Sequence, residues 1–228
     1  MQEIIKAVPL FSELDDVEIN AIAALVSTQK YPKKMLIVQE GESGDSMFII
    51  LEGSVKISSY AADGREVVLS LLEKGAFFGE MVLLDAEPRS ATVMTMEDTE
   101  LGRIRRADFE RLMLQMPQLT RKLLAEMVSR LRRTSSVLER VSTMDVPQRL
   151  YNYMRDYCLR FGSPDANGGF EVKLPTHQLV ADQLSTSRET ISRAISALKK
   201  EGIIVPLQGR GQVRVDMHAL DTLLQVMQ

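Results

Sequence analysis

The sequence predicts an α+β protein in three consecutive parts: a β-rich N-terminal domain, a long central helix and a C-terminal winged helix-turn-helix. Three observations predict it. Between Tyr31 and Ile104, short apolar runs alternate with turn residues. From Pro117 to Asp145 a heptad of apolar residues runs without a glycine or an internal proline. After Thr176, two short amphipathic segments flank a polar turn and lead into a glycine-rich hairpin.

The first 25 residues read as short helices, with Ser12 as N-cap before Leu14, Val17, Ile19 and Ile22. The strand-like runs are Met35–Val38, Met47–Leu51, Val55–Ile57, Val67–Leu72, Ala91–Met94 and Leu101–Ile104. Asp63-Gly64, between Val55–Tyr60 and Glu66–Leu71, is a hairpin signal, because glycine tolerates the positive φ of a tight turn. Many short strands at near-regular spacing suggest a small barrel, roll or sandwich. In the central helix, Leu124, Leu131 and Leu138 form one heptad series and Met127, Thr134 and Val141 the other. Such a seam suits a helix paired with a copy of itself. Thr134, followed by Ser135, is its polar break: either a register device or a lining aimed at a ligand. Met144-Asp145-Val146-Pro147 marks a hinge. A helix over Gln148–Arg160, a polar loop over Ser163–Gly169 and a strand over Phe170–Leu174 follow. Thr176 then caps a short helix, Ser185-Thr186-Ser187 turns, and Arg188–Glu201 forms a second helix with Ile191, Ile195 and Leu198 inward and Gly202 as stop. Ile203–Val205 and Val213–Val215, joined through Gln208-Gly209-Arg210-Gly211, make the wing. The domains therefore read as 1–116, 117–145 and 146–228.

Composition sets bounds on function. A chain of 228 residues, 45% apolar and 26% charged, suits one large or two small globular domains and excludes a disordered or collagen-like chain. No apolar run approaches the roughly 18 residues of a spanning helix. The N-terminus lacks a basic-then-apolar export pattern. A cytoplasmic protein with no membrane partner is expected. Cys158 is the only cysteine, and His177 and His218 are far apart, which argues against a disulfide, an iron–sulfur cluster or a zinc site. The net charge of −3 divides into −5 over residues 1–145 and +2 over residues 146–228. Overall acidity does not exclude nucleic acid, since a local basic face suffices.

Two constellations carry chemistry. The first is Phe78-Gly79-Glu80-Met81 with Pro88-Arg89-Ser90-Ala91-Thr92. Gly79 allows a close backbone approach where a short helix opens, and the free N–H groups of a helix start attract phosphate. Arg89 supplies a forked cation and Ser90 a hydroxyl. Glu80 can accept hydrogen bonds from a sugar hydroxyl. The competing reading is an internal Glu80–Arg89 salt bridge with no ligand. The second constellation is Ser187-Arg188-Glu189-Thr190 with Arg193, at the start of the second helix of the pair. Such N-terminal turns meet base edges in the major groove, where Arg reads guanine and Glu accepts from cytosine.

With these residues, the chain resembles the cAMP receptor protein/FNR family of bacterial transcription regulators over nearly its whole length. Phe78-Gly79-Glu80, Arg89-Ser90 and Thr134-Ser135 match the cyclic-nucleotide signature of its cAMP branch, and Ser187-Arg188-Glu189-Thr190 with Arg193 match its recognition helix. The resemblance implies a cyclic-nucleotide-binding β-roll, a dimerisation helix and a homodimer. It implies Glu80 on the ribose hydroxyl, Arg89 and Ser90 on the cyclic phosphate, and Thr134 and Ser135 on adenine, one from each subunit. Gly79 and Met81 belong to the same loop, and Ser70 and Leu72 are weaker pocket candidates. Thr176, His177 and Gln178 fall where the family contacts DNA phosphates, although enteric members carry Arg in place of His177. The implied effector is cAMP, with cGMP and cyclic di-GMP as alternatives. No metal, haem or iron–sulfur cluster is implied: the roll lacks a cysteine cluster and axial His or Cys. The implied partners are palindromic double-stranded DNA with TGTGA-like half-sites and RNA polymerase.

Other classes fit less well. No G-x-S-x-G elbow, P-loop or H-E-x-x-H motif is present, and the Glu80/Arg89 pocket has no paired carboxylates, so no enzyme is expected. A ligand-independent DNA-binding regulator, with the roll as a dimerisation scaffold, is the other alternative.

Overall fold

The computed structural model describes residues 2–85, 87–166, 168–209 and 211–226. It divides into two compact units, Met1–Arg133 and Thr134–Gln228. Arg210 of the wing turn, Ala86 of the loop between Met81 and Pro88, and Asn167 of the Ser163–Gly169 loop lie outside the described residues.

The first unit begins with α1 (Gln2–Lys6), a 3-10 turn (Pro9–Phe11) and α2 (Asp16–Leu25). The N-cap of α2 is Asp15, whose carboxylate accepts from the Glu18 N–H while Glu18 accepts from the Asp15 N–H. Ser12, expected to cap this helix, instead ends the 3-10 turn, and its hydroxyl donates to the Pro9 carbonyl. A carboxylate at the cap with Glu three residues on satisfies two orphan N–H groups at once, which Ser12 does not. Val17, one of the four apolar residues at helical spacing, is exposed.

Eight strands follow: β1 (Ser27–Tyr31), β2 (Leu36–Val38), β3 (Ser46–Glu52), β4 (Ser54–Tyr60), β5 (Glu66–Glu73), β6 (Phe77–Phe78), β7 (Thr92–Thr95) and β8 (Thr99–Arg105). They form two antiparallel four-stranded sheets, ordered β1-β8-β3-β6 and β2-β7-β4-β5. The apolar run of β3 is buried on both faces. Phe48 and Ile50 join Val55, Leu72, Phe78 and Val93 between the sheets. Met47, Ile49 and Leu51 point the other way, into a core shared with α1, α2, α4 (Arg106–Gln115) and the start of α5 (Pro117–Thr143). The Asp63-Gly64 hairpin forms as expected: Tyr60 pairs with Glu66, and Gly64 takes a left-handed φ of 81°. The helix α3 (Met81–Asp85) lies between β6 and β7.

The helix α5 spans 27 residues and carries an exposed apolar stripe: Leu124, Val128, Leu131, Val137, Leu138 and Val141. Met127, expected in that stripe, packs against the N-terminal core instead.

The second unit contains α6 (Val146–Phe161), β9 (Ser163–Pro164), β10 (Phe170–Lys173), α7 (His177–Gln183), α8 (Arg188–Lys200), β11 (Ile204–Pro206), β12 (Gln212–Val215) and α9 (Met217–Val226). Asp145 caps α6 through a reciprocal pair with Gln148, so the hinge signal is also a helix start. Thr176 caps α7 and Ser187 caps α8, each accepting from the backbone N–H three residues on. Such caps are worth about 1 kcal/mol each. Ile191, Ile195 and Leu198 of α8 face the core with Val180, Ala181, Leu150 and Met154. Gly202 takes φ 76°, ending the helix as its position implies. The wing sheet runs β11-β12-β10-β9, all antiparallel. Cys158 is fully buried in this core, and burial pushes its thiol up to about 11. It packs as a small apolar group.

Candidate functional site

Arg89 is the centre of the first site. It is only 8% exposed. Its backbone is tied to the loop before β3, donating to the Glu42 carbonyl and accepting from the Gly41 N–H. The guanidinium donates Nη1 to the Gly79 carbonyl at 3.0 Å and Nη2 to the Ser46 carbonyl at 2.9 Å. Two glycines make this approach possible. A Cβ on Gly79 would lie 2.6 Å from Arg89 Nη1, and one on Gly44 would lie 2.3 Å from Nε. Gly79 also has φ 76°. Burial lowers the affinity of Arg89 for its proton, and Asp45 partly restores it. The group remains a cation.

Glu80 is 3% exposed. The Glu80–Arg89 ion pair suggested by spacing is absent among the described residues. The partner is Arg130 of α5, whose Nη1 donates to Glu80 Oε1 at 2.9 Å. Arg130 Nη2 donates to the Phe77 carbonyl at 2.9 Å, its Nε reaches Glu126 Oε1 at 3.1 Å, and its plane lies over the Phe77 ring. Burial raises the Glu80 carboxyl above the usual range, and the Arg130 charge partly opposes this. Glu80 Oε2 is buried with no hydrogen-bond partner. A buried carboxylate oxygen without a donor is costly, and a ligand hydroxyl would satisfy it.

Ser90 and Met81 lie on the rim of this site, both exposed, with Ser90 Oγ donating to Met81 Sδ at 3.4 Å. Gly79, Glu80, Met81, Arg89 and Ser90 are thus brought together. Ser70 is half-buried on β5, and Leu72, two residues on, lies in the core between the sheets. Thr134 and Ser135 are exposed on α5, in the second unit. Arg130, Gly44 and Ser46 were not singled out from sequence. Nothing periodic links Glu80 to a residue 50 positions away, and Ser46 acts through its carbonyl.

The second candidate surface is α7–α8. Arg188, Glu189 and Arg193 are exposed along α8, with no ion pair among the described residues. Ser187 and Thr190 hydroxyls lie 2.9 Å apart and Ser187 Oγ caps the helix, so both hydroxyls are engaged locally. Thr176 is engaged as the α7 cap. His177 is half-buried, and its proton affinity is lowered first by burial, then by Lys199 and Arg188. Exposed Gln178 donates to Asp182 at 2.7 Å. Ser185 closes the turn in a left-handed conformation, φ 51°.

Among the described residues, no group of three or more His, Cys, Asp or Glu side chains could hold a metal, and no helix is long and apolar enough to cross a membrane.

Comparison with known proteins agrees with this layout. A family model described as cyclic nucleotide-binding domain matches residues 28–116, and one described as Crp-like helix-turn-helix domain matches residues 148–223. The chain is 33% identical over 215 residues to the cyclic AMP receptor protein of Thermus thermophilus, covering 94% of this chain and 95% of that one. It is 28% identical over 220 residues to a CRP-like cAMP-activated global transcriptional regulator of Mycobacterium tuberculosis, covering 96% and 98%. Its fold is like that of FixK2 from Bradyrhizobium japonicum, with TM-score 0.75 at 23% identity over 87% of this chain and 96% of that one. With a cyclic nucleotide-binding roll ahead of an exposed, capped helix-turn-helix, the chain belongs to the cAMP receptor protein/FNR family of DNA-binding transcription regulators.

Proposed function

We propose that this protein is a homodimeric, cAMP-gated, sequence-specific regulator of transcription. The observation that carries the reading is the pairing of two buried groups. Arg89 is held by backbone carbonyls beside the α3 start, and Glu80 keeps one buried carboxylate oxygen without a donor. A cyclic nucleotide supplies a phosphate for the first and a ribose hydroxyl for the second. Ser90 would add a hydroxyl to the phosphate, and Gly79 and Met81 would border it. Ser70 and Leu72 are weaker lining candidates. Thr134 and Ser135 would meet adenine, one from each protomer. Relatives named as cAMP-activated or cyclic AMP receptor proteins, at 28–33% identity, support cAMP over cGMP and cyclic di-GMP.

The exposed apolar stripe of α5 supports self-association. Nucleotide contact with paired central helices would favour one dimer arrangement and set the recognition helices about 34–36 Å apart, one DNA turn. The ligand shifts this equilibrium only by its differential affinity for the two arrangements. Thr176, His177 and Gln178 would lie against phosphates; Ser187, Arg188, Glu189, Thr190 and Arg193 would face the groove of a palindrome with TGTGA-like half-sites. RNA polymerase is the further partner.

Calorimetric titration with cAMP, cGMP and cyclic di-GMP tests the ligand assignment. Saturable binding of cAMP in preference to the other two is expected. Tighter binding of either alternative would replace the effector, and no binding of any would leave a ligand-independent regulator.

Two substitutions test the assembly and the DNA contact. Leu131 is 66% exposed, and burying such a side chain is worth about 1.5–3 kcal/mol. Two symmetric copies lost in Leu131→Glu correspond to a dimer weakened roughly a hundredfold or more. Sedimentation equilibrium should show monomer at concentrations where the unaltered chain is dimeric. Arg188→Ala should relax preference at one guanine of the half-site by about 1–3 kcal/mol. Competition between matched and substituted duplexes measures this. Equal weakening on every sequence would make Arg188 a phosphate contact.

A further inference from the structure

The seat of Arg89 is itself held from behind. Ser46 is 1% exposed. Its hydroxyl donates to Asp45 Oδ1 at 2.6 Å and accepts from Arg103 Nε at 2.6 Å. Arg103 Nη2 closes the ring on Asp45 Oδ1 at 2.8 Å. The carbonyl of the same Ser46 takes Arg89 Nη2. The Asp45 carbonyl accepts the Arg106 N–H at 2.7 Å, and the Arg106 guanidinium reaches the Gly44 carbonyl at 3.3 Å. Three guanidiniums, Arg89, Arg103 and Arg106, therefore converge on residues 44–46, where β3 begins. Asp45 is the carboxylate of this segment: it pairs with Arg103, is largely exposed to solvent, and its charge is the largest one favouring the Arg89 cation.

We propose that Asp45 and Arg103 are positioning residues for Arg89, locking Ser46 so that its carbonyl holds the guanidinium ready for an anionic ligand group. The proposal deepens the nucleotide-site reading and rests on it. The physical reason is preorganisation. An arginine on a mobile seat must be ordered when the phosphate arrives, whereas one on a braced seat is ordered beforehand. Gly44 and Asp45 belong to no strand or helix, and Gly44 lies so close to Arg89 that an added Cβ would sit 2.3 Å from its Nε.

The charge of Asp45 makes the proposal separable from simple electrostatics. Asp45 repels an incoming phosphate, so its removal, judged by charge alone, tightens binding. A brace gives the opposite sign. Asp45→Ala is expected to weaken cAMP binding about threefold to tenfold, the scale of one lost hydrogen bond. Ser46→Ala should do the same. Asp45→Asn, whose amide oxygen still accepts from Ser46 and Arg103, should restore affinity to that of the unaltered chain or better. The Arg89 Nε–H resonance, followed by nitrogen-15 NMR in nucleotide-free protein, gives a readout that needs no ligand. It should be sharp in the unaltered chain and in Asp45→Asn, and broadened in Asp45→Ala and Ser46→Ala. Tighter or unchanged cAMP binding in Asp45→Ala, or an unaltered Arg89 resonance in both alanine variants, would overturn the brace while leaving the nucleotide site standing. An unaltered chain that binds no cyclic nucleotide would overturn the site reading itself, and the positioning role with it.

Discussion

Arg89→Leu is expected to remove cyclic-nucleotide binding while the chain stays folded. The guanidinium is the buried cation beside the Gly79–Met81 turn, and both backbone carbonyls it bonds are fixed by the sheet and the loop around them. Removing one partner of a buried, charge-assisted contact costs about 2–5 kcal/mol. That is a loss of roughly thirtyfold to several thousandfold in nucleotide affinity. Leucine fills much of the volume against Phe48, whose ring the guanidinium overlies at 5.9 Å. The Gly79 and Ser46 carbonyls lose a donor, so a small drop in melting temperature accompanies the loss. Titration calorimetry and thermal melting separate the two effects. Normal nucleotide affinity in this variant would take Arg89 out of the phosphate role.

Arg130→Leu carries the second large effect, on stability. Glu80 is buried, and Arg130 is its ion-pair partner. Stripping a buried carboxylate of that partner typically costs about 3–5 kcal/mol. The pH dependence has a definite sign. Burial already raises the Glu80 carboxyl above its unfolded value. A raised carboxyl binds more protons folded than unfolded, so its favourable contribution is present at acid pH and is lost as pH rises through the folded value. Without Arg130 the carboxyl rises further. The variant should therefore be penalised most near pH 8, and the penalty should shrink as pH falls to 5, toward the ordinary carboxylate range. Denaturant melts at the two pH values measure this. A penalty equal at both would show that Arg130 acts by packing on Phe77 rather than by charge.

Local signals were the legible ones. The Asp63-Gly64 turn, the cap at Thr176 and the α8 core positions each depend on residues within a few positions of one another. The capping box at Asp15–Glu18 was equally local, yet Ser12 drew attention because it precedes the same apolar spacing. The strand β1 left no mark, since Ser27–Tyr31 is almost wholly exposed and pairs with β8 68 to 76 positions on. The site was half legible. Gly79, Glu80, Arg89 and Ser90 stand out as residue types in a short span. Their true partners do not: Arg89 is held by carbonyls, which every residue has, and Glu80 by an arginine on another element. Met127 fits the heptad as well as its neighbours do, but the apolar floor of the first unit claims it.

The central claim is that nucleotide in the roll governs DNA affinity, and the most direct measurement is binding to a palindromic TGTGA-type duplex with and without saturating cAMP at fixed salt. Coupling of about 1–3 kcal/mol, or roughly fivefold to 150-fold, is the usual scale. The account predicts tighter DNA binding with cAMP, and by reciprocity the same factor in cAMP affinity when DNA is present. DNA binding equally tight with and without cAMP would contradict it.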